Sequence, residues 1–401
     1  MTSGYHVEEE ITGKAYDARL MRRFAGYLRP YAGWTALGVL AIVVVAVSIL
    51  AARGQWTWLP SGLTAGTSDG EGWTPPKTPW GDPDLQGIYN YGTSTPLQRP
   101  KQVGDKQVLS DADAEALQEE ISGRLDRDRR DGGAQADVSR SYNEVWMDPA
   151  RMRLTADKRT SLIVDPPDGR LPPRVQRPLT PADLQARAAQ ELSTRRFNTG
   201  FQESYKDMDV GNRCIIRRRN EGGGHPYLPA IYNNMAQILQ SPGYVVIYAE
   251  MIHFARIIPV DGRPPLPENV ETWLGDPRGH WEGDTLVVET RNFVSSNEVG
   301  RTGVVYGNAD PNTFRIVERF TRTAPGAIEY QVTIADPNTW TRPFTISVPW
   351  NKTNEQIYEY QCQELNYDMY HWLEGARERE KRGERFDPKA PDAAGEGGAD
   401  S

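Results

Sequence analysis

The sequence predicts an α+β protein built on one antiparallel β-meander, either a barrel or a strongly curved sheet, with peripheral helices and one transmembrane helix ahead of it. Three observations carry that prediction. Between residues 234 and 362, β-prone runs follow one another at hairpin spacing, separated by turn residues. Two runs alternate strictly: Ile328, Tyr330, Val332 and Ile334 against Glu329, Gln331 and Thr333, then Phe344, Ile346, Val348 and Trp350. One dry and one wet face define an antiparallel sheet, and a long meander must curl or close to hide its edges. Finally, residues 34–52 (WTALGVLAIVVVAVSILAA) carry no charge, and at about 1.5 Å per residue they match a bilayer core of about 30 Å.

Taken in order, residues 1–33 contain Leu20, Phe24, Tyr27 and Leu28 at helical spacing with Arg22, Arg23 and Arg29 between them. This pattern predicts an amphipathic segment on the cytoplasmic membrane surface. The arginines precede the 34–52 span, which places the N-terminus in the cytoplasm and the main domain in the periplasm or outside the cell. A cleaved signal is the alternative for this segment, since small residues follow the span. Residues 53–78 are rich in Gly, Ser, Thr and Pro and predict a flexible linker.

The soluble part opens with an irregular, partly helical stretch, 79–225. It holds a short strand at 87–91, a helix opened by Ser110 with Leu117, Ile121 and Leu125 on one face, a loop at 126–140, a strand at 159–164 stopped by DPPDGR, and a helix from Thr180 to about 196 with Pro181 in its first turn. Strands then follow at 234–240, 244–250, 254–260, 278–282, 285–291, 314–322, 328–335, 344–350 and 356–362, about nine in consecutive hairpins. Pro242-Gly243, Gly283-Asp284 and Pro325-Gly326 supply turns. The expected product is an up-and-down, lipocalin-like barrel over 226–382, with Pro349 outside the ladder or at an edge because proline donates no ladder hydrogen bond. A helix at 365–381 and a disordered tail at 383–401 close the chain.

The net charge of −8 argues against a nucleic-acid partner. Cys214 and Cys362 predict a disulfide if the domain is exported, and two buried thiols if it is not. Neither cysteine has metal-ligand spacing. Phosphate-loop, dinucleotide-binding and serine-hydrolase motifs are absent, and no cofactor is expected.

The candidate site residues are Glu250, His253, Arg256, His280, Trp281 and Glu289, with Glu318 also falling inside an apolar strand. Inward charges at a barrel mouth can orient a ligand whose body is buried by apolar walls; cross-strand charge pairing is the structural alternative. Glu250, His253 and His280 include zinc-ligating residue types, but they lack the helical spacing of a metal motif. Trp273, Trp281, Trp340 and Trp350 are expected in the core or at the mouth. The leading expectation is a module binding a small apolar or carbohydrate-like ligand. The alternatives are an enzyme using Glu250 and His253 as an acid–base pair, and a structural envelope domain.

Two resemblances add to this reading. Residues 8–50, with EEE, YDARLMRRFAGYLRPY and an apolar helix, resemble the elbow and first membrane helix of an ABC exporter, although no phosphate loop follows. Residues 73–374 resemble a family of uncharacterised exported bacterial proteins, through WTPPKTPWGDPDLQGIY, RTSLIVDPPDGRLPP, GYVVIYAEMIHFARIIPVDGRP, LGDPRGHWEGDTLVVETRNF and DPNTWTRPFT. That resemblance implies export and supplies no mechanism. Where the family tends to carry a carboxylate after EMIH, this chain has Phe254.

Overall fold

The computed structural model describes residues 73–126, 152–176, 180–208, 210–216, 225–294, 313–362 and 367–389, with a few isolated positions between them. All belong to the unit Thr67–Ser401. The amphipathic segment, the 34–52 span, most of the linker and the last part of the tail lie outside the described residues. Among the described residues no helix is long and apolar enough to cross a membrane.

The fold is α+β, with one ten-stranded sheet in which every strand pair is antiparallel. Its strands are β1 (Gly87–Asn90), β2 (Ile163–Asp165), β3 (Met235–Ser241), β4 (Tyr244–Ala249), β5 (Ala255–Pro259), β6 (Asp276–Glu282), β7 (Thr285–Arg291), β8 (Arg315–Ala324), β9 (Ala327–Ala335) and β10 (Phe344–Thr353). They lie in the order β5-β4-β3-β1-β10-β9-β8-β7-β6, with β2 beside β10. The expected run of consecutive hairpins is thus two meanders, β3–β5 and β6–β10, joined by β1, the first of the described strands. The turns form where expected: Gly243 at φ +79° completes the Pro242-Gly243 turn, a backbone angle that glycine adopts without steric cost.

Alternation fixes the inner face as anticipated. Ile328, Tyr330, Val332 and Ile334 are buried, as are Phe344, Ile346, Val348 and Trp350. Trp350 is the hub of the inner face. Tyr91 and Tyr227 each lie 5.3 Å from its ring centroid, Tyr330 5.5 Å, Phe320 5.6 Å and Tyr89 6.3 Å. Stacked and edge-on pairs of this kind add to the gain from burying the rings.

The sheet does not close into a barrel, which corrects the closed form of the expectation. No ladder joins edge strands β5 and β6. The sheet instead curls until side chains from one edge meet the other. A Cβ on Gly279 of β6 would stand 2.7 Å from Val260 and 2.9 Å from Ile258, so the approach requires a residue without one. Pro277 in β6 and Pro259 in β5 each remove an N–H that a closing ladder would use.

Two further expectations are corrected. Residues 356–362 form no strand; the chain leaves β10 after Thr353 and runs as an irregular strap. Pro349 lies inside a central strand, opposite Glu329 of β9. Its nitrogen turns to the other side, toward which Ser347 N–H donates to Leu162 O (2.8 Å). There β2 pairs only with Thr345 and Ile346 and β1 only with 351–353, so Pro349 falls in the gap between them. Proline is tolerated because the ladder is interrupted at that residue.

Among the described residues three α-helices accompany the sheet: α1 (Asp111–Leu125), α2 (Pro181–Thr199) and α3 (Asp368–Lys381). The Ser110 side chain caps α1 by accepting from Asp113 N–H, and Leu117 and Ile121 are its buried face. Phe197 of α2 meets Trp372 of α3 edge to face at 4.9 Å. Packing continues past α3, where the Phe386 ring lies under the Arg196 guanidinium at 4.6 Å.

Candidate functional site

The six sequence-predicted residues do not gather at one mouth. Arg256 is buried on β5 and reaches across the curl: its Nη2 donates to Glu318 Oε2 of β8 (2.6 Å) and to Thr290 Oγ1 of β7 (2.7 Å). Tyr330 donates to the other Glu318 oxygen (2.8 Å). Burial works against the Arg256 charge, but the adjacent Glu318 carboxylate together with the Tyr227 and Tyr330 hydroxyls outweighs it, and the guanidinium is held above its ordinary range. Burial, and then the Glu318 charge, push the Tyr330 hydroxyl well up. His225 lies in the same interior, and burial followed by the Arg256 charge lowers its pKa well below 6.5, so it is neutral. The Tyr91 hydroxyl and the Trp350 indole N–H are also buried and have no hydrogen-bond partner among the described residues, and the Tyr227 hydroxyl faces the Arg256 guanidinium.

Glu250 and His253 stand together on a tight 3-10 turn, Met251–His253, after β4. Both engage the strap. Glu250 Oε1 accepts from Tyr358 N–H (3.2 Å), and His253 Nδ1 lies 2.6 Å from Tyr360 O, which makes Nδ1 the protonated nitrogen. His280 is exposed and contacts Glu282 (3.2 Å), Glu289 pairs with Arg291 at the surface (3.4 Å), and Trp281 packs beside the core. Among the described residues no group of three His, Cys, Asp or Glu side chains is arranged to hold a metal. The Cys214–Cys362 disulfide is formed and ties the end of the strap to a loop 148 residues earlier. A bridge of this kind marks a domain folded in an oxidising, extracytoplasmic compartment.

An open concavity lies elsewhere, at the interruption beside Pro349. The next rung there would join Pro349 to Gly92, but β1 ends at Asn90, and Gly92 N–H turns back to Asn90 Oδ1 (2.8 Å). The result is a cleft of about 470 Å³ whose lining includes Asn90, Thr93, Arg153, Thr155, Asn234 and Asn351. Glu355, on the strap, completes its wall. Thr93 and Asn234 are held by backbone: Thr93 Oγ1 donates to Arg153 O (2.7 Å), and Asn234 bonds both ways with Ala230. Among the described residues Asn90 Nδ2, the Asn351 amide and the Glu355 carboxylate have no hydrogen-bond partner, which leaves amide donors and carboxylate acceptors facing the cleft. One guanidinium and one carboxylate line the cleft, so their formal charges cancel.

None of these lining residues was singled out from the sequence. The only local signal was Pro349 within an alternating strand, because the asparagines are scattered from 90 to 351 and meet only in the fold. No protein-family model, curated protein or solved structure matches the chain.

Proposed function

We propose that this protein is a membrane-tethered, extracytoplasmic binding module for a small, uncharged, polyhydroxylated ligand of carbohydrate-like kind, taken up in the Pro349 cleft. One observation carries the reading: a cleft of ligand size opens over a break in the ladder and is lined by amides, hydroxyls and one carboxylate whose charge one guanidinium balances. Asparagine and carboxylate side chains suit sugar-type hydroxyls, each of which both donates and accepts. An apolar ligand inside the curve is less favoured, because Trp350 and its ring neighbours fill that space. The tether is the 34–52 segment, and the resemblance to exported bacterial proteins agrees with the disulfide.

Titration calorimetry of the full-length oxidised protein with neutral mono- and disaccharides, and with uronic acids as charged controls, tests the reading. The expected result is binding of a neutral sugar that weakens roughly tenfold in Asn351→Ala, the loss of one or two hydrogen bonds. Absence of binding across the neutral panel, or equal binding by wild type and the variant, overturns it.

A further inference from the structure

The strap that carries Glu355 into the cleft wall is irregular chain, so its position depends on what holds it. Its near end is tied by Glu355 N–H donating to Thr353 Oγ1 (3.1 Å), and three further anchors hold the far end within five residues: Tyr358 N–H on Glu250 Oε1, Tyr360 O on His253 Nδ1, and Cys362 on Cys214. Tyr360 and Cys362 also pack on Ala230, Met251 and Ile252. The anchoring backbone is strained. Ile252 stands at φ +62°, His253 at +42° and Cys214 at +54°. For a β-branched residue such as Ile252, positive φ is an outlier, and each such residue costs about 1–3 kcal/mol unless its surroundings hold it. Strained anchors release readily when one tie is cut, and the covalent tie is the one that chemistry can cut.

We propose that residues 354–362 are a clamp arm that holds Glu355 in the cleft wall only while Cys214 and Cys362 are joined, so that the oxidised chain binds its ligand and the reduced chain does not. The proposal rests on the cleft reading above and concerns the regulation of that same site. Opening is ordinary thiol–disulfide exchange: a dithiol gives two electrons and two protons to the bridge, two cysteine thiols form, and the dithiol becomes a cyclic disulfide. Binding would then be confined to the oxidising compartment in which the domain matures.

The test compares the full-length oxidised protein, the same protein reduced with dithiothreitol, and Tyr358→Pro, which removes the N–H held by Glu250 and leaves the bridge intact. Hydrogen exchange is followed over residues 354–362 and, as a control for folding, over β3, β9 and β10. Sugar affinity is measured on each sample. The expected result is exchange about tenfold faster in the strap alone, with affinity at least tenfold weaker, in both altered samples. Faster strap exchange with unchanged affinity overturns the clamp and leaves the cleft reading standing. Unchanged strap exchange after reduction also overturns it. Loss of protection in β9 and β10 on reduction makes the bridge a support of the whole fold and overturns the clamp. Failure of the oxidised wild type to bind any neutral sugar removes the cleft reading and the clamp with it.

Discussion

Arg256 on edge strand β5 donates to Glu318 on β8 across the open seam of the sheet, with both side chains almost wholly buried (2% and 0% exposed). The pair links an edge of the sheet to the third strand in from the opposite edge and holds the curl where no ladder does. Glu318→Gln should destabilise the domain by about 3–5 kcal/mol in chemical denaturation, because it leaves a buried guanidinium without its counter-charge. Glu289→Gln, which breaks only an exposed pair, should change stability by less than about 1 kcal/mol. Equal effects would mean that the seam is held by apolar contact alone.

Gly279 tests the same seam by sterics. Gly279→Val places carbon inside van der Waals contact with Ile258 and Val260. A loss of at least about 1–3 kcal/mol is expected, the usual range for overpacking a core. Gly326, whose nearest neighbour to an added Cβ lies at 4.0 Å, should tolerate alanine far better. Thermal melts of the two variants give the comparison.

Trp350 is fully buried among five aromatic rings. Trp350→Ala should cost about 3–5 kcal/mol, as large-to-small changes of buried aromatics do. A denaturation midpoint equal to that of wild type would mean that the cluster packs loosely.

His225 gives stability a pH dependence of known sign. Its folded pKa lies well below 6.5 because burial, and then Arg256, disfavour the imidazolium. Below about pH 6.5 the unfolded chain takes up a proton that the folded chain refuses, so this contribution to stability falls with falling pH and is flat above. The slope should be positive as pH rises toward about 6.5, with about 1.4 kcal/mol per pH unit as its upper bound for one proton, and should be missing in His225→Gln. Denaturation of both proteins from pH 5 to 8 measures it; parallel curves would place the titration on other groups.

Local pattern alone determined much of this protein. Alternation of Ile328 to Ile334 named the buried face of β9, because the side-chain period of a strand is two wherever it lies in a sheet. The turn pairs set the hairpins of β3 with β4, β6 with β7 and β8 with β9, and Ser110 marked the start of α1, since turns and caps are short-range chemistry. With two cysteines in the sequence, the pairing of Cys214 with Cys362 was expected on the condition of export, and the structure forms it. What lay beyond the sequence was every relation between distant segments. The placement of β1 between β3 and β10, the rest of Arg256 against Glu318, and the use of Glu250 and His253 to hold the strap are set by tertiary packing. The cleft is the clearest case. Asn90, Asn234 and Asn351 are ordinary surface-type residues one at a time, and they become a site only because Pro349 leaves a rung empty where three remote segments converge.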